Sequence, residues 1–324
     1  MKFSKETLSA QAQLSGFRPD MLEKVAHLLS FLESIVGHPV LKGKMGLKGG
    51  TALNLFIFDV PRLSVDIDLN YIAAADKETM LADRPRIEAA LQQVATREGF
   101  SAKRSPNDHA GGKWIFRYAS AFGQASHLEV DLNFLLRMPL WPVVFCDSRA
   151  VGPFRARGIP LLDLHELAAG KLAALFARRA SRDLYDATEL LRRPDLDIAK
   201  LRLAFTVYGA ASRTDWRVIS PEQIDFDPTE LKDKLLPVLQ GSARKPAAEM
   251  MQWGNGLVAE CRGLSKSILP LSAAETEFIT RINDQGEIAA DLLTDDHGLR
   301  AKIEQNPALQ WKALNVRKHR GLER

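Results

Sequence analysis

The chain has 324 residues, 46% hydrophobic and 26% charged, with a formal net charge of +4 and a pI near 9.0. That length supports a large core and two domains, and that balance excludes a disordered or low-complexity chain while allowing a nucleic-acid partner. No apolar run reaches membrane-spanning length, no apolar signal core opens the chain, and Cys146 and Cys261 are too few for a disulfide framework or zinc cluster, so a cytoplasmic protein away from any membrane is expected.

Apolar positions at helical spacing (Met21, Val25, Leu28, Leu29, Leu32) predict a helix over 20–36 with Asp20 as its N-cap. "KMGLKGG" reads as a short strand entering a turn, and 51–58 as a short helix. Pro61 closes that region before a strand over 64–72. An amphipathic helix is expected over 77–98, then a glycine-rich turn, "HAGGK", and two strands, "KWIFRYAS" and "SHLEVDLNFLL". A further strand or loop covers 142–159, and from Asp163 the pattern is helical to about Arg193. Beyond "RRPDLD" the chain is mostly helical, with breaks expected at Pro221, Pro228, Pro237 and Pro246. The expected class is α+β: a domain over 1–195 with a small mixed sheet flanked by helices, then a mostly helical domain over 196–324.

The chemistry concentrates in residues 47–70, "LKGGTALNLFIFDVPRLSVDIDLN". Side chains alternate along a strand, so Ser64, Asp66, Asp68 and Asn70 share one face while Val65, Ile67, Leu69 and Tyr71 share the other. Aspartates two apart stand about 7 Å from each other at a rise of roughly 3.3 Å per residue. From there they can converge on magnesium, and a cation between them relieves their mutual repulsion. "HLEVDLNFLL" repeats the pattern, with Glu129, Asp131 and Asn133 on one face, so Asp131 is the natural third carboxylate if the two strands are neighbours. Alternating acids on one strand can mark only a solvent face; two such strands after a Gly-Gly-Thr turn favour a metal site. The turn is no P-loop, because the Gly-x-x-x-x-Gly-Lys spacing is missing. At a helix N-terminus, Gly49 and Gly50 would allow close backbone approach to a phosphate, with Thr51 adding a hydroxyl.

Lys171 and Asp186 stand in "DLHELAAGKLAALFARRASRDLYD", residues 163–186. Asp163 and Glu166 resemble a capping box that starts a helix there. On one straight helix, Lys171 and Asp186 would be about 22 Å apart at roughly 1.5 Å per residue. A break near Ala180–Ser181, with Ser181 as N-cap and Asp183 in the next first turn, would bring them together. Arg178, Arg179 and Arg182 would then sit at the turn near a phosphate-bearing substrate, or simply pair with Asp183 and Glu189. The last residues, "WKALNVRKHRGLER", carry five Lys or Arg against one Glu, as a solvated tail or an RNA contact would.

Together, "LKGGTALNLFIFDVPRLSVDIDLN", "EVDLNF", "KLAALFARRASRDLYD" and "LQWKALNVRKHRG" resemble the AbiEii/AbiGii toxin family, which includes the MenT toxins. The resemblance implies a polymerase-β-like nucleotidyltransferase fold and a toxin role beside an antitoxin encoded nearby, in a bacterial type IV-like system. It also implies Mg²⁺ or Mn²⁺, an NTP, and NMP transfer to RNA, with the tRNA 3′ acceptor end as target. Carried over by residue, Gly50 and Thr51 match the Gly-Ser of the wider motif, Asp66 and Asp68 its metal aspartates, and Lys171 and Asp186 its essential lysine and aspartate. Asp131 matches the third-carboxylate position less closely. Thr51 replaces a serine, which leaves open whether a hydroxyl or a backbone N–H meets the phosphates. A protein or small-molecule acceptor remains an alternative, as does a metal-dependent RNase using the same carboxylates.

Overall fold

A computed structural model describes residues 3–104 and 111–322. Compactness divides the chain into two interleaved units, one of residues 1–137, 143–162 and 236–244, the other of 138–142, 163–235 and 245–324. The segment 163–195, grouped on sequence with the sheet, falls in the second unit.

Among the described residues, seven strands form one sheet in the first unit: β1 (Met45–Lys48), β2 (Asp66–Tyr71), β3 (Ser101–Arg104), β4 (Gly111–Ala119), β5 (Ala125–Asn133), β6 (Val144–Cys146) and β7 (Ile159–Leu161). Their order is β3-β4-β5-β2-β1-β7-β6. β2 runs parallel to β5 and β1 parallel to β7; the other neighbours are antiparallel, so the sheet is mixed as expected. Of the "HAGGK" turn, His109 and Ala110 lie outside the described residues, whereas Gly111 and Gly112 already belong to β4.

Strand alternation sorts the two faces of this sheet. Ile67, Leu69, Tyr71, Trp114, Phe116, Leu128, Val130 and Leu132 are buried on one. Helices α1 (Lys5–Ser15) and α2 (Pro19–Gly37) open the chain, and α2 packs on that face, with the Phe31 ring 5.2 Å from Phe116. Pro19 takes the first helical position, where its missing N–H costs nothing. Asp20 therefore falls inside the first turn and pairs with Arg18 at 2.8 Å, rather than capping the helix. After a short turn of helix, α3 (Gly49–Ala52), the chain continues as a π-turn over Leu53–Ile57. Helix α4 (Lys77–Arg97) is capped by Asp76. Glu88 of α4 binds Arg104, whose guanidinium lies 5.0 Å from the Trp114 ring centre, so α4 too covers the apolar side.

The second unit is helical. Helices α5 (Leu164–Ala177), α6 (Ser181–Leu191) and α7 (Ile198–Ala211) pack together, with Phe205 and Trp216 in their core. Pro221 and Pro228 start short helical turns instead of only breaking helix, again by occupying first-turn positions. The basic C-terminal stretch is ordered in a helix, Pro307–Arg320. Its last turn holds Arg317, Lys318, His319 and Arg320, where cations complement the helix dipole. No helix among the described residues is long and apolar enough to cross a membrane.

Candidate active site

The route from β1 into α3 is dictated by one glycine. Gly49 has φ +74°, a left-handed conformation that side chains resist. A Cβ there would also stand 2.2 Å from Asp68 Oδ2. The turn therefore wraps directly onto the Asp68 carboxylate, and only glycine satisfies both conditions. Gly50 follows, and its carbonyl accepts a bond of 2.9 Å from Asn54 Nδ2. Thr51 is fully buried and its hydroxyl donates to the Asp66 backbone carbonyl at 2.5 Å. That hydroxyl, expected to face a phosphate, ties the turn to β2 instead.

Register sets out the polar face. Asp68 is opposite Lys48 on β1 and opposite Asp131 on β5, and Asp131 is opposite Lys113 on β4. Paired residues project to the same side of a sheet, so Lys48, Asp68, Asp131 and Lys113 form one row across four strands. Asp66 and Glu129 are paired in the next row. The adjacency needed for Asp131 as a third carboxylate is present. The two flanking lysines were not singled out from sequence, because nothing in a single strand reveals what it is paired with. Lys113 binds Glu129 at 2.6 Å. Its pKa is raised by that hydrogen bond and by the charges of Glu129, Asp66 and Asp131, and Lys113 in turn holds Glu129 below the usual carboxylate range.

Asp66, Asp68 and Asp131 are half-buried, within reach of a solvated cation. Among the described residues, no three His, Cys, Asp or Glu side chains have gathered to metal-binding separation. The sheet supplies instead three carboxylates on adjacent strands of one face. Beyond them Asn70 is buried, and its Oδ1 has no hydrogen-bond partner among the described residues. An all-oxygen donor set of this kind fits a hard divalent cation.

The second unit brings Lys171 and Asp186 together. Helix α5 ends at Ala177, Arg178 is extended, and α6 starts at Ser181, which is the break the spacing demands. Ser181 is not the N-cap. It occupies the first helical position, its N–H donates to the Glu230 carboxylate, and its hydroxyl donates to the Asp227 carbonyl at 3.1 Å. Glu230 thus satisfies the donor that a capping serine would otherwise have to serve. Lys171 Nζ lies 2.7 Å from Asp183 and 3.0 Å from Asp186, with all three residues buried. The two aspartates, three apart, share one face of α6. Asp183 also accepts from Arg178 Nε at 2.6 Å. Burial pushes the Asp183 pKa up, but the Lys171 charge and the Arg178 contact outweigh it and hold the carboxyl below its usual range. Of the other turn cations, Arg179 stands 3.7 Å from Asp225, while Glu189 pairs with Arg192.

Asp163 caps α5 through the His165 N–H at 2.8 Å, but Glu166 does not complete a capping box. It is buried and accepts from the Trp141 N–H and the Tyr208 hydroxyl, each at 3.2 Å.

A family model described as nucleotidyl transferase AbiEii toxin, type IV TA system, matches residues 30–252, more than half of the chain. No curated protein matches the chain. Among solved structures, the chain is similar in fold to MenT4, the nucleotidyltransferase toxin Rv2826c from Mycobacterium tuberculosis H37Rv, with a TM-score of 0.57 and 18% identity over 95% of this chain and 99% of that one.

Proposed function

The chain belongs to the nucleotidyl transferase AbiEii toxin family of type IV toxin–antitoxin systems, and from that premise we propose that it transfers NMP from an NTP to RNA, at the 3′ acceptor end of tRNA, with Mg²⁺ held by Asp66, Asp68 and Asp131. An NTP substrate and a cognate antitoxin come with the family; the acceptor and the metal are the proposal. The observation that carries it is the pairing of Asp68 with Asp131, two residues from Asp66, beneath a turn that only glycine can make.

The reaction joins an RNA hydroxyl oxygen to the α-phosphorus and breaks the bond to the β-phosphate oxygen, releasing pyrophosphate. A divalent cation held by the three aspartates would neutralise charge on the attacking and leaving oxygens. Gly49 and Gly50 give the triphosphate close access to backbone N–H groups. Thr51 supports that turn from beneath by fixing it to Asp66. Asp131 would ligate the metal nearer the attacking hydroxyl or help take its proton. In the helical unit, Lys171 is bonded to two carboxylates, so it can serve a phosphate as a point charge only by exchanging one of them. Asp186 orients it. Arg178, bonded to Asp183, and Arg179 are exposed cations of this turn that would be available to a phosphate.

The test is incubation of the purified protein with total RNA and each labelled NTP, with Mg²⁺ or with EDTA. Label in tRNA-sized RNA, lost with EDTA and in Asp66→Ala, is the expected outcome. RNA shortened without NTP would instead establish a nuclease, and label in protein or small molecules would move the acceptor elsewhere.

A further inference from the structure

The same sheet face continues outward past the carboxylates, and there its charge changes sign. The row Asp66–Glu129 runs on through Ile115 of β4 to Lys103 of β3, because Ile115 is opposite both Glu129 and Lys103. One row further along, Arg117 of β4 is opposite His127 of β5 and Ser101 of β3. Alternation fixes the direction of these side chains: Arg104, next to Lys103, is held on the opposite side by Glu88 and Trp114. Lys103, Lys113 and Arg117 are exposed. Lys113 is paired with Glu129, whereas Lys103 and Arg117 have no ion-pair partner among the described residues.

A polyanion approaching Asp66, Asp68 and Asp131 is repelled by them, so the strand that carries the reacting hydroxyl must be held by cations beside the row. Lys113 and Arg117, four apart on β4, are separated by about 13 Å, and Lys103 stands one strand spacing, about 4.8 Å, from the midpoint between them. Such a triangle, with the Ile115 side chain at its centre, suits an extended chain carrying a charge on every unit.

We propose that Lys103, Lys113 and Arg117 bind the phosphodiester backbone of the acceptor RNA and lead its reactive end to Asp68 and Asp131. This rests on RNA being the acceptor. Lys113, at the inner edge, exchanges Glu129 for a phosphate when the RNA arrives. Lys103 and Arg117 form the outer contact and touch none of the proposed metal ligands.

The experiment uses the full chain with Lys103→Ala/Arg117→Ala and with Lys103→Glu/Arg117→Glu. The control is Arg86→Glu/Arg97→Glu, which removes two exposed cations from α4, behind the sheet. RNA affinity is measured by gel mobility against total tRNA over a KCl series without NTP, and NTP binding by fluorescence of a labelled NTP. The alanine pair should weaken RNA binding about tenfold, the glutamate pair more, and the salt slope should fall by about one per cation removed. NTP binding and the control stay at wild-type values, and KM for RNA rises while kcat at saturating RNA holds. Unchanged affinity and slope in both variants, equal damage in the control, or no RNA binding by wild type at low salt would overturn the proposal. Transfer to RNA with unaltered variant affinity ends this inference alone. Weakened RNA binding in the variants without any transfer to RNA ends the acceptor assignment and leaves the binding face standing.

Discussion

Two sets of aspartates in this protein live under opposite conditions. Asp183 and Asp186 in the helical unit are buried and share Lys171, at 2.7 and 3.0 Å, with Arg178 also on Asp183. Asp66, Asp68 and Asp131 on the sheet are half-buried and crowded by one another and by Glu129. In the first set the chain supplies its own cations, Lys171 and Arg178. In the second, carboxylates share a row of an accessible sheet face with Lys48 and Lys113, and a divalent cation there would further offset their mutual repulsion. The same residue type is therefore paired with cations of the chain in one unit and, on the proposed reading, would take up a metal ion in the other.

The sharpest way to break that contrast is to neutralise one member of each set. Asp68→Asn should lower NMP transfer by about a thousandfold or more, the equivalent of several kcal/mol of lost charge stabilisation at 1.36 kcal/mol per tenfold. Its stability in urea unfolding should stay within about 1 kcal/mol of wild type, because Asp68 is half-buried on an accessible sheet face. Lys171→Met should do the reverse to the fold. It removes the cation that lies between two buried carboxylates and costs about 3–4 kcal/mol in urea unfolding. Adding Asp186→Asn to Lys171→Met should restore part of that loss. A Lys171→Met protein of full stability would mean that the helical cluster is not the structural one.

Much of this contrast was legible before any fold was known. Alternation alone placed Asp66, Asp68 and Asp131 on the polar side of their strands. The 15-residue gap from Lys171 to Asp186 required a helix break, and the break is there. What could not be read is register, since pairing belongs to two strands at once. Lys48 and Lys113 beside the carboxylates, and the return of 236–244 to the sheet unit, where Leu239 bridges Arg62, are of this kind. The strand Ser101–Arg104 lacks any apolar alternation and so gave no signal. Glu166 looked like an ordinary first-turn acid because its burial comes from Trp141 and Tyr208, residues distant in sequence.

Glu166 extends the contrast to a buried acid with no ion-pair partner among the described residues. Burial pushes its carboxyl from the ordinary 4.5 up to about 7. The folded protein thus keeps a proton that the unfolded chain releases between those values. The associated stability is complete below about pH 4.5 and is lost as pH rises through about 7. Glu166→Gln cannot ionise, yet its amide oxygen can still accept from the Trp141 N–H while its amide N–H donates to the Tyr208 hydroxyl oxygen. Urea midpoints should therefore agree at pH 4.5 and separate at pH 8, with the variant more stable by about 2–3 kcal/mol at 1.36 kcal/mol per pKa unit. Parallel pH curves for the two proteins would refute the assignment.

The smallest effect concerns the link between the phosphate turn and the carboxylate strand. If the Thr51 hydroxyl met the triphosphate, Thr51→Val would raise KM for NTP and leave the fold untouched. Its bond to the Asp66 carbonyl, made by a fully buried side chain, argues for a different signature. Valine keeps the shape and removes the donor, so the variant should lose about 1 kcal/mol of stability. A modest fall in kcat should accompany this, as Asp66 loses its support. Thr51→Ser keeps the donor and gives up only a methyl group, so its kcat should stay closer to wild type even if its stability falls by a similar amount. Equal kcat in the two variants would separate the turn from the carboxylates. A fall in kcat confined to valine means that the turn acts on catalysis through the position of Asp66.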